Sequence, residues 1–470
     1  MRLLVFGTGD YYQRYKKWLV NEEIVALLDN SPAKQNTMMD GKEVLSPQKG
    51  ICRDFDAVVI MSFYVKAMKA QLKRLGVAEE QIYHFFDLRK LIDLEKNRQD
   101  IQCYGISGQE IRDRADTGIA LLSTDLAFGG TALALFHMAK ALSGAGYPVL
   151  FVSMMDGPLR ERVEVCRIPV VIDPNLQLAT LKETEWLSDF RFILCNSINY
   201  YTFLLERDSE IPVIWWLHDS AFFYDGVDKE ALRKMPRENL TVLSVGPVPE
   251  KTIRGIVPEL SVGQLLYGVE DSAGRKDKLG KADEEREDAR ERMCFVTIGY
   301  IEERKGQDIL LQAVSMLEKS IREKAVFYLV GQDTSLLAGK LKEQAEDISE
   351  MVVTGPVGRE ALETILNRAD VMICPSREDP MPTVAAEAMM HSVPCIVSHV
   401  VGTAAYIKEE EDGLIFQSEN VSELSAKIRW CVEHRDRVER MGKGARQIFE
   451  RQFSMNVFEK KLTEIVEKFM

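Results

Sequence analysis

Short apolar runs without the alternation of a half-buried strand recur along this chain, separated by polar loops and helical stretches. They cover residues 2–6, 24–28 and 57–61, then 119–123, 149–152, 212–217 and 262–266. The last set covers 295–298, 326–330, 351–354, 371–374 and 393–397. Runs of this kind are expected of parallel strands covered on both faces. Between them the period changes to that of a helix. Residues 131–143 place Leu135, Met138, Ala139 and Leu142 on one face, and Gly144 and Gly146 stop the pattern. The stretch after Gly306 does the same with Leu310, Ala313, Val314 and Leu317. A final helix, capped by Ser454, carries Phe458, Leu462, Ile465, Val466 and Phe469 on one face. Strand and helix in alternation predict an α/β fold, and 470 residues predict two or three domains.

Residues 371–398 are the most informative stretch. Strand 371–374 leads into a loop with three prolines, 375–382, then into a helix over 383–391 and a further strand. Pro382 suits the first helical position. The loop brings Glu378 and Asp379 to the carboxyl end of the sheet, where open α/β sheets bind ligands. The amides of Thr383 and Val384 are expected to point at that place, which suits an anion such as a diphosphate. Glu387 lies eight residues beyond Asp379, inside the helix. A carboxylate there is better placed to accept bonds from sugar hydroxyls than to serve a phosphate. Without a ligand, the same residues read as a solvated acidic loop.

Other strand ends carry candidate chemistry. Gly129 and Gly130 close the loop after 119–123 and open a helix, so backbone amides gather there; a tight turn needs two glycines equally. His218 follows the strand 212–217, and Asp219, Phe222, Phe223 and Tyr224 come next, either lining an acceptor site or packing. After 295–298 comes Gly299-Tyr300-Ile301-Glu302-Glu303-Arg304-Lys305-Gly306, with two cations beside a helix start. At the N-terminus, Gly7-Thr8-Gly9-Asp10 follows the strand 2–6 and Asp29 follows the strand 24–28, as in the front half of a Rossmann-like unit. Tyr12 stands where a dinucleotide fingerprint needs a small residue, so a nicotinamide cofactor is not expected.

The carboxylates of the 375–390 stretch, with Lys305 and the glycine loops, resemble the pattern of retaining glycosyltransferases of family 4. The likeness runs from about Gly118 to the C-terminus. This chain departs from the pattern in having Asp379 for Glu, Tyr300 for Arg and Pro380 for Gly. The resemblance implies a GT-B fold, two facing Rossmann-like domains, here with an extra N-terminal Rossmann-like α/β domain. It implies domains at 1–96, 118–272 (acceptor side) and 293–452 (donor side). A linker covers 97–117, a charged connector 273–292, and a helix at 453–470 packs back on the acceptor-side domain. It implies catalytic roles for Asp379 or Glu378, for His218 on the donor sugar and for Lys305 on the leaving diphosphate. Glu387 is implied to hold the ribose. Gly129, Gly130, Gly299, Arg304, Gly355, Val357, Met381, Pro382, Thr383 and Val384 are implied in donor binding, with Gly355 and Val357 near the base. No metal and no cofactor is implied; a nucleotide sugar is the substrate. Residues 1–96 resemble small sugar-nucleotide-binding or regulatory domains fused to bacterial polysaccharide enzymes. For them ligand binding and scaffolding, including homo-oligomer contacts, both stay open, and they are expected to lie outside the catalytic centre.

Composition narrows the field. A formal net charge of −13 argues against a nucleic-acid partner. The eight cysteines lack metal or CxxC spacing and mostly sit in apolar runs, as expected of reduced core residues in a cytoplasmic protein. No signal peptide and no run long enough to span a membrane is read, leaving peripheral contact with the inner face of the membrane open. The functional expectation is sugar transfer, with retention, to a saccharide or glycoconjugate acceptor in polysaccharide biosynthesis. Two alternatives remain: a GT-B-fold UDP-sugar epimerase and a non-catalytic nucleotide-sugar-binding subunit.

Overall fold

The computed structural model describes residues 1–115, 117–208, 210–273, 292–332 and 336–469. The charged connector expected at 273–292 lies almost wholly outside them. The chain falls into two compact units. The first is Met1–Val242 with Thr252–Ser261 and Phe469; the second is Leu243–Lys251 with Val262–Lys468. Residues 262–272, expected in the acceptor-side domain, therefore belong to the second unit.

The first unit holds two sheets. One is built from β1 (Arg2–Phe6), β2 (Glu23–Leu28), β3 (Thr37–Met39), β4 (Lys42–Leu45), β5 (Ala57–Ile60) and β6 (Ile82–His84), in the order β3-β4-β2-β1-β5-β6. The other contains β7 (Gln102–Tyr104), β8 (Ile119–Ser123), β9 (Val149–Ser153), β10 (Val170–Ile172), β11 (Phe192–Asn196), β12 (Val213–Leu217) and β13 (Leu240–Ser244). Its order is β13-β12-β11-β8-β9-β10-β7. The stretch expected to be linker thus contributes β7, which pairs antiparallel with β10. It escaped notice because Gln102 and Cys103 are exposed, so this edge strand has no apolar face to reveal it.

In the second unit, after the short β14 (Val262–Gln264), come β15 (Met293–Ile298), β16 (Ala325–Val330), β17 (Met351–Gly355), β18 (Val371–Cys374), β19 (Cys395–Ser398) and β20 (Gly413–Phe416). They form an all-parallel sheet in the order β17-β16-β15-β18-β19-β20. Its strands are buried among helices through Phe295, Phe327, Leu310, Val314 and Ile428. This is the doubly wound order in which the chain reverses direction beside the first strand, here between β15 and β18. The loops 299–306 and 375–382 leave those two strands at the same end. The final helix, Met455–Val466, buries Phe458, Leu462 and Val466 as the periodicity predicts. Ser454 is at the N-cap position but does not cap: its hydroxyl donates to the Glu450 carbonyl at 3.1 Å, drawn back by the π-turn Phe449–Phe453.

Candidate functional site

The candidate residues form one group in each unit. In the second unit the loops after β15 and β18 are locked together. Gly306 needs its left-handed φ of 67° and its missing side chain, since a Cβ there would lie 2.2 Å from the Pro375 carbonyl oxygen. Arg377 donates to Asp308 at 2.8 and 2.7 Å and to the Glu303 carbonyl at 2.6 Å. This clamp brings Lys305 onto Asp379, with Nζ 2.6 Å from Oδ2. Asp379 is 5 % exposed. Arg304 donates to the Glu378 carbonyl at 3.0 Å, and its Nη1 stands 3.9 Å from the same Asp379 oxygen. Of the two adjacent acids, Asp379 therefore carries the buried, cation-bound carboxylate, while the Glu378 main chain anchors Arg304. Tyr300, in the place of a further expected cation, is largely exposed.

The 375–382 loop is pinned from behind. The Asp379 carbonyl accepts from the Gly402 amide at 2.9 Å, and a Cβ at Gly402 would collide with the Pro380 carbonyl. Met381 and Pro382 are buried there. The helix Thr383–Met390 then begins with Pro382 at its N-cap, which has no side-chain acceptor. The first-turn amides of Thr383 and Val384 thus lack a side-chain cap and remain suited to an anion. Glu387, one turn inside, accepts from Arg359 Nη1 at 2.6 Å. Arg359 also binds Glu363, which takes bonds from Ser272 Oγ at 3.0 Å and His391 Nε2 at 2.8 Å. Burial raises the pKa of Glu363, but Arg359 and Ser272 outweigh it and hold the carboxyl below its usual range. Burial lowers the pKa of the His391 imidazole. Gly355 ends β17 at φ 70° and Gly299 leaves β15 at φ 149°. They are close to each other's strands, because a Cβ on Gly331 would strike the Gly299 carbonyl and the Gly331 amide bonds Gly355 at 3.1 Å. Val357 is half-buried beyond Gly355.

Arg359 and Arg377 were not singled out from sequence. Arg359 lies four residues before Glu363 at a helix start, which marked it only as a surface pair. Arg377 was masked by the adjacent acids.

In the first unit, Gly129 caps the helix Gly130–Gly144 at φ −92°. That is ordinary extended backbone, and a Cβ on Gly129 would meet nothing within 4 Å. The turn does not require this glycine, which weakens the purely conformational explanation for it. Beyond β12, His218 stands edge-on to Trp216 with ring centroids 4.2 Å apart. Its Nε2 is buried without a hydrogen-bond partner, and burial lowers its pKa to about 3. It is a neutral imidazole at ordinary pH, able to exchange a hydrogen bond but not to act as a cation. Asp219 accepts from Ser197 Oγ at 3.0 Å and from the Ile198 amide at 2.6 Å. Burial raises its pKa to about 6 despite those bonds. Ser197 itself is held at φ 100°, a conformation rarely taken by a residue with a side chain. Phe222 and Phe223 pack against rings of the first domain. Among the described residues, no helix is long and apolar enough to cross a membrane.

Residues 281–448 match the family model described as Glycosyl transferases group 1, and residues 1–83 match that described as C2185-like, N-terminal. A glycosyltransferase of Methanocaldococcus jannaschii is 25% identical over 201 residues, 41% of this chain and 47% of the relative. The lipopolysaccharide glucosyltransferase WaaG of Escherichia coli K12 is 27% identical over 128 residues, 26% of this chain and 34% of the relative. The chain thus spans about half the length, or less, of these curated relatives. Among solved structures, Anabaena HepE, determined in complex with UDP and glucose, superposes with a TM-score of 0.61. The identity is 16%, over 75% of this chain and 100% of that one. The fold is of the GT-B type, with an additional α/β domain at the N-terminus.

Proposed function

We propose that this chain is a glycosyltransferase that moves a sugar from a nucleotide sugar to a saccharide or glycoconjugate acceptor, with retention, in cell-surface polysaccharide or lipopolysaccharide assembly. The observation that carries it is the placing of Lys305, paired with Asp379 at 2.6 Å, at the chain reversal between β15 and β18, at whose carboxyl end the first-turn amides of Thr383–Met390 lack a side-chain cap. An ammonium has three donors and Asp379 uses one, leaving two for phosphate oxygens. Lys305, Arg304 and the amides of Thr383 and Val384 stabilise charge as it grows on the leaving diphosphate, usually the largest catalytic term. Asp379 turns its carboxylate to the sugar hydroxyls, Glu387 holds the ribose, and His218 orients the sugar as a neutral hydrogen-bonding group. Retention follows from attack by the acceptor on the face the diphosphate leaves. The group 1 match and the UDP and glucose bound to HepE support this reading.

The experiment is incubation with UDP-, GDP- and dTDP-sugars, following nucleoside diphosphate release and the anomeric configuration of the product. Release of a nucleoside diphosphate with an α-linked product from an α-linked donor is expected. Conversion of the donor to an epimer, or tight binding without turnover, overturns the proposal.

A further inference from the structure

The first domain repeats the doubly wound arrangement, with its reversal between β1 and β5. In such a sheet the crevice beyond these strand ends is where a ligand belongs. Here it is filled by protein. Gly7, at φ 104°, leaves β1 so close to β5 that a Cβ would lie 2.9 Å from the Met61 carbonyl oxygen. Tyr11 and Phe63 close the opening edge to face at 4.8 Å, and Phe85 stacks on Tyr11 at 4.9 Å. Onto these rings lies the segment Ala221–Gly226, which follows His218 and Asp219. Phe223 sits 4.5 Å from Phe63 and Phe222 6.2 Å from it, centroid to centroid. Gly226 lies flat on the His84 imidazole, where a Cβ would fall 2.4 Å from Cε1 and 2.5 Å from Nδ1. His84 cannot swing aside, being 3 % exposed and bonded through Nε2 to the Ser62 carbonyl at 3.0 Å. Lys66 pairs with Asp225 at 2.7 Å, and Arg14 with Asp125, in the loop leading to Gly129, at 3.3 Å.

We propose that this crevice is a socket for residues 221–226, and that Phe63, together with the close fit of Gly226 against the His84 wall, positions the His218–Asp219 turn. The force path is short. The socket fixes Gly226 and Phe223, these fix Asp219, and Asp219 holds Ser197 in its strained conformation at the end of β11. Residues 1–96 thereby serve the site mechanically, although the sequence places none of the donor contacts in them. The catalytic side of this proposal rests on the assignment of His218 to the donor sugar.

The test is Gly226→Ala in the full-length chain, with His84→Ala/Gly226→Ala as the relieving pair. The added methyl has no room against the imidazole, and removal of the ring restores it. Donor hydrolysis by Gly226→Ala is expected to fall about tenfold or more in kcat, since a misplacement of ~1 Å can cost as much as a hundredfold. The Kd for UDP is expected to stay within about twofold of wild type, because Lys305, Arg304, Thr383, Val384 and Glu387, the groups proposed above to hold the diphosphate and ribose, all lie in the second unit. The double variant is expected to recover most of the kcat. Hydrogen exchange reads the same placement without activity: amides of 197–200 and 217–220 are expected to lose protection in the single variant and regain it in the double. A folded Gly226→Ala protein with wild-type protection there overturns the socket, whatever its activity. So does a double variant no better than the single one. Restored protection in a protein that never releases UDP from a donor would instead sink the transferase reading and leave the socket standing.

Discussion

Replacing Lys305 with Met keeps most of the aliphatic stem and removes the charge. Two effects then need separating. One is on stability. The pair is close and mostly buried, with side chains 18 % and 6 % exposed, and Arg304 stands 3.9 Å from the same oxygen. Stranding one partner of a buried pair costs about 3–5 kcal/mol when nothing replaces the lost charge. Arg304 supplies part of the replacement, so about 2 kcal/mol is expected, or a Tm lower by roughly 4–8 °C for a unit of some two hundred residues. The other effect is on catalysis. Removing one donor from a developing oxyanion costs ~2.7–4 kcal/mol of barrier, about 10²–10³ in kcat. Because the charge on the diphosphate grows in the transition state, KM for the donor is expected to move only a few-fold. The companion is Lys305→Met/Asp379→Asn, which neutralises the stranded carboxylate. It is expected to regain part of the Tm and none of the kcat. Scanning calorimetry and steady-state donor turnover on both variants decide the matter. A Lys305→Met enzyme with unchanged kcat and a raised KM alone refutes the proposed role. Recovery of kcat in the double variant would mean that the loss came from a misplaced Asp379.

Glu387→Gln is expected to weaken binding of donor and of free nucleoside diphosphate alike by about tenfold, the loss of one charged hydrogen bond, and calorimetry with equal affinity for both proteins would remove Glu387 from the ribose. Arg359→Ala is expected to weaken UDP less than Glu387→Gln does, because Arg359 orients the carboxylate, with Nη1 2.6 Å from Oε1; a larger loss would mean that Arg359 itself touches the nucleotide. Asp219 keeps its proton to about pH 6 when folded, against 3.8 for the ordinary group, so the folded state binds more protons in that window and stability falls as pH rises through it, by roughly 3 kcal/mol. Asp219→Asn is expected to remove that slope, and urea melts of the two proteins that run parallel from pH 4 to 6 would contradict the burial of an ionisable Asp219. His218 acts in the opposite sense: its pKa of about 3, against 6.5, makes folding less favourable as pH falls below about 6.5, and His218→Gln is expected to flatten that acid limb.

Much of the scaffold was legible because parallel strands are uniformly apolar. The run at 371–374 is β18 to the residue, and 119–123 is β8. The meeting of Lys305 with Asp379 was legible only through resemblance, since the two residues are far apart in sequence and the strand order β15-β18 brings them together. Which of Glu378 and Asp379 faces the cation was not legible at all; it depends on the pinning of the loop by Gly402 and Arg304. Short polar edges such as β7 gave no signal. The aromatic run at 222–224 was legible as apolar but not in its target, because rings that fill a neighbouring crevice and rings that line a binding site have the same composition.

The same fold unit therefore occurs three times with three different contents at its crevice, and the contents decide what each can do. Beyond β1 and β5 the crevice is occupied by Phe63, Tyr11 and the segment after His218. Beyond β8 and β11 it offers an open backbone at Gly129, and Arg14 there is held by Asp125. Beyond β15 and β18 it offers Lys305, Arg304 and uncapped amides. A nucleoside diphosphate carries its charge at one end, and the third crevice joins two cations to uncapped amides, which offsets the desolvation of that charge. One UDP per chain is the expected stoichiometry in calorimetry, despite three doubly wound sheets. An additional site of comparable affinity that survives Lys305→Met would show that the first crevice opens, and the argument from its aromatic filling would fail.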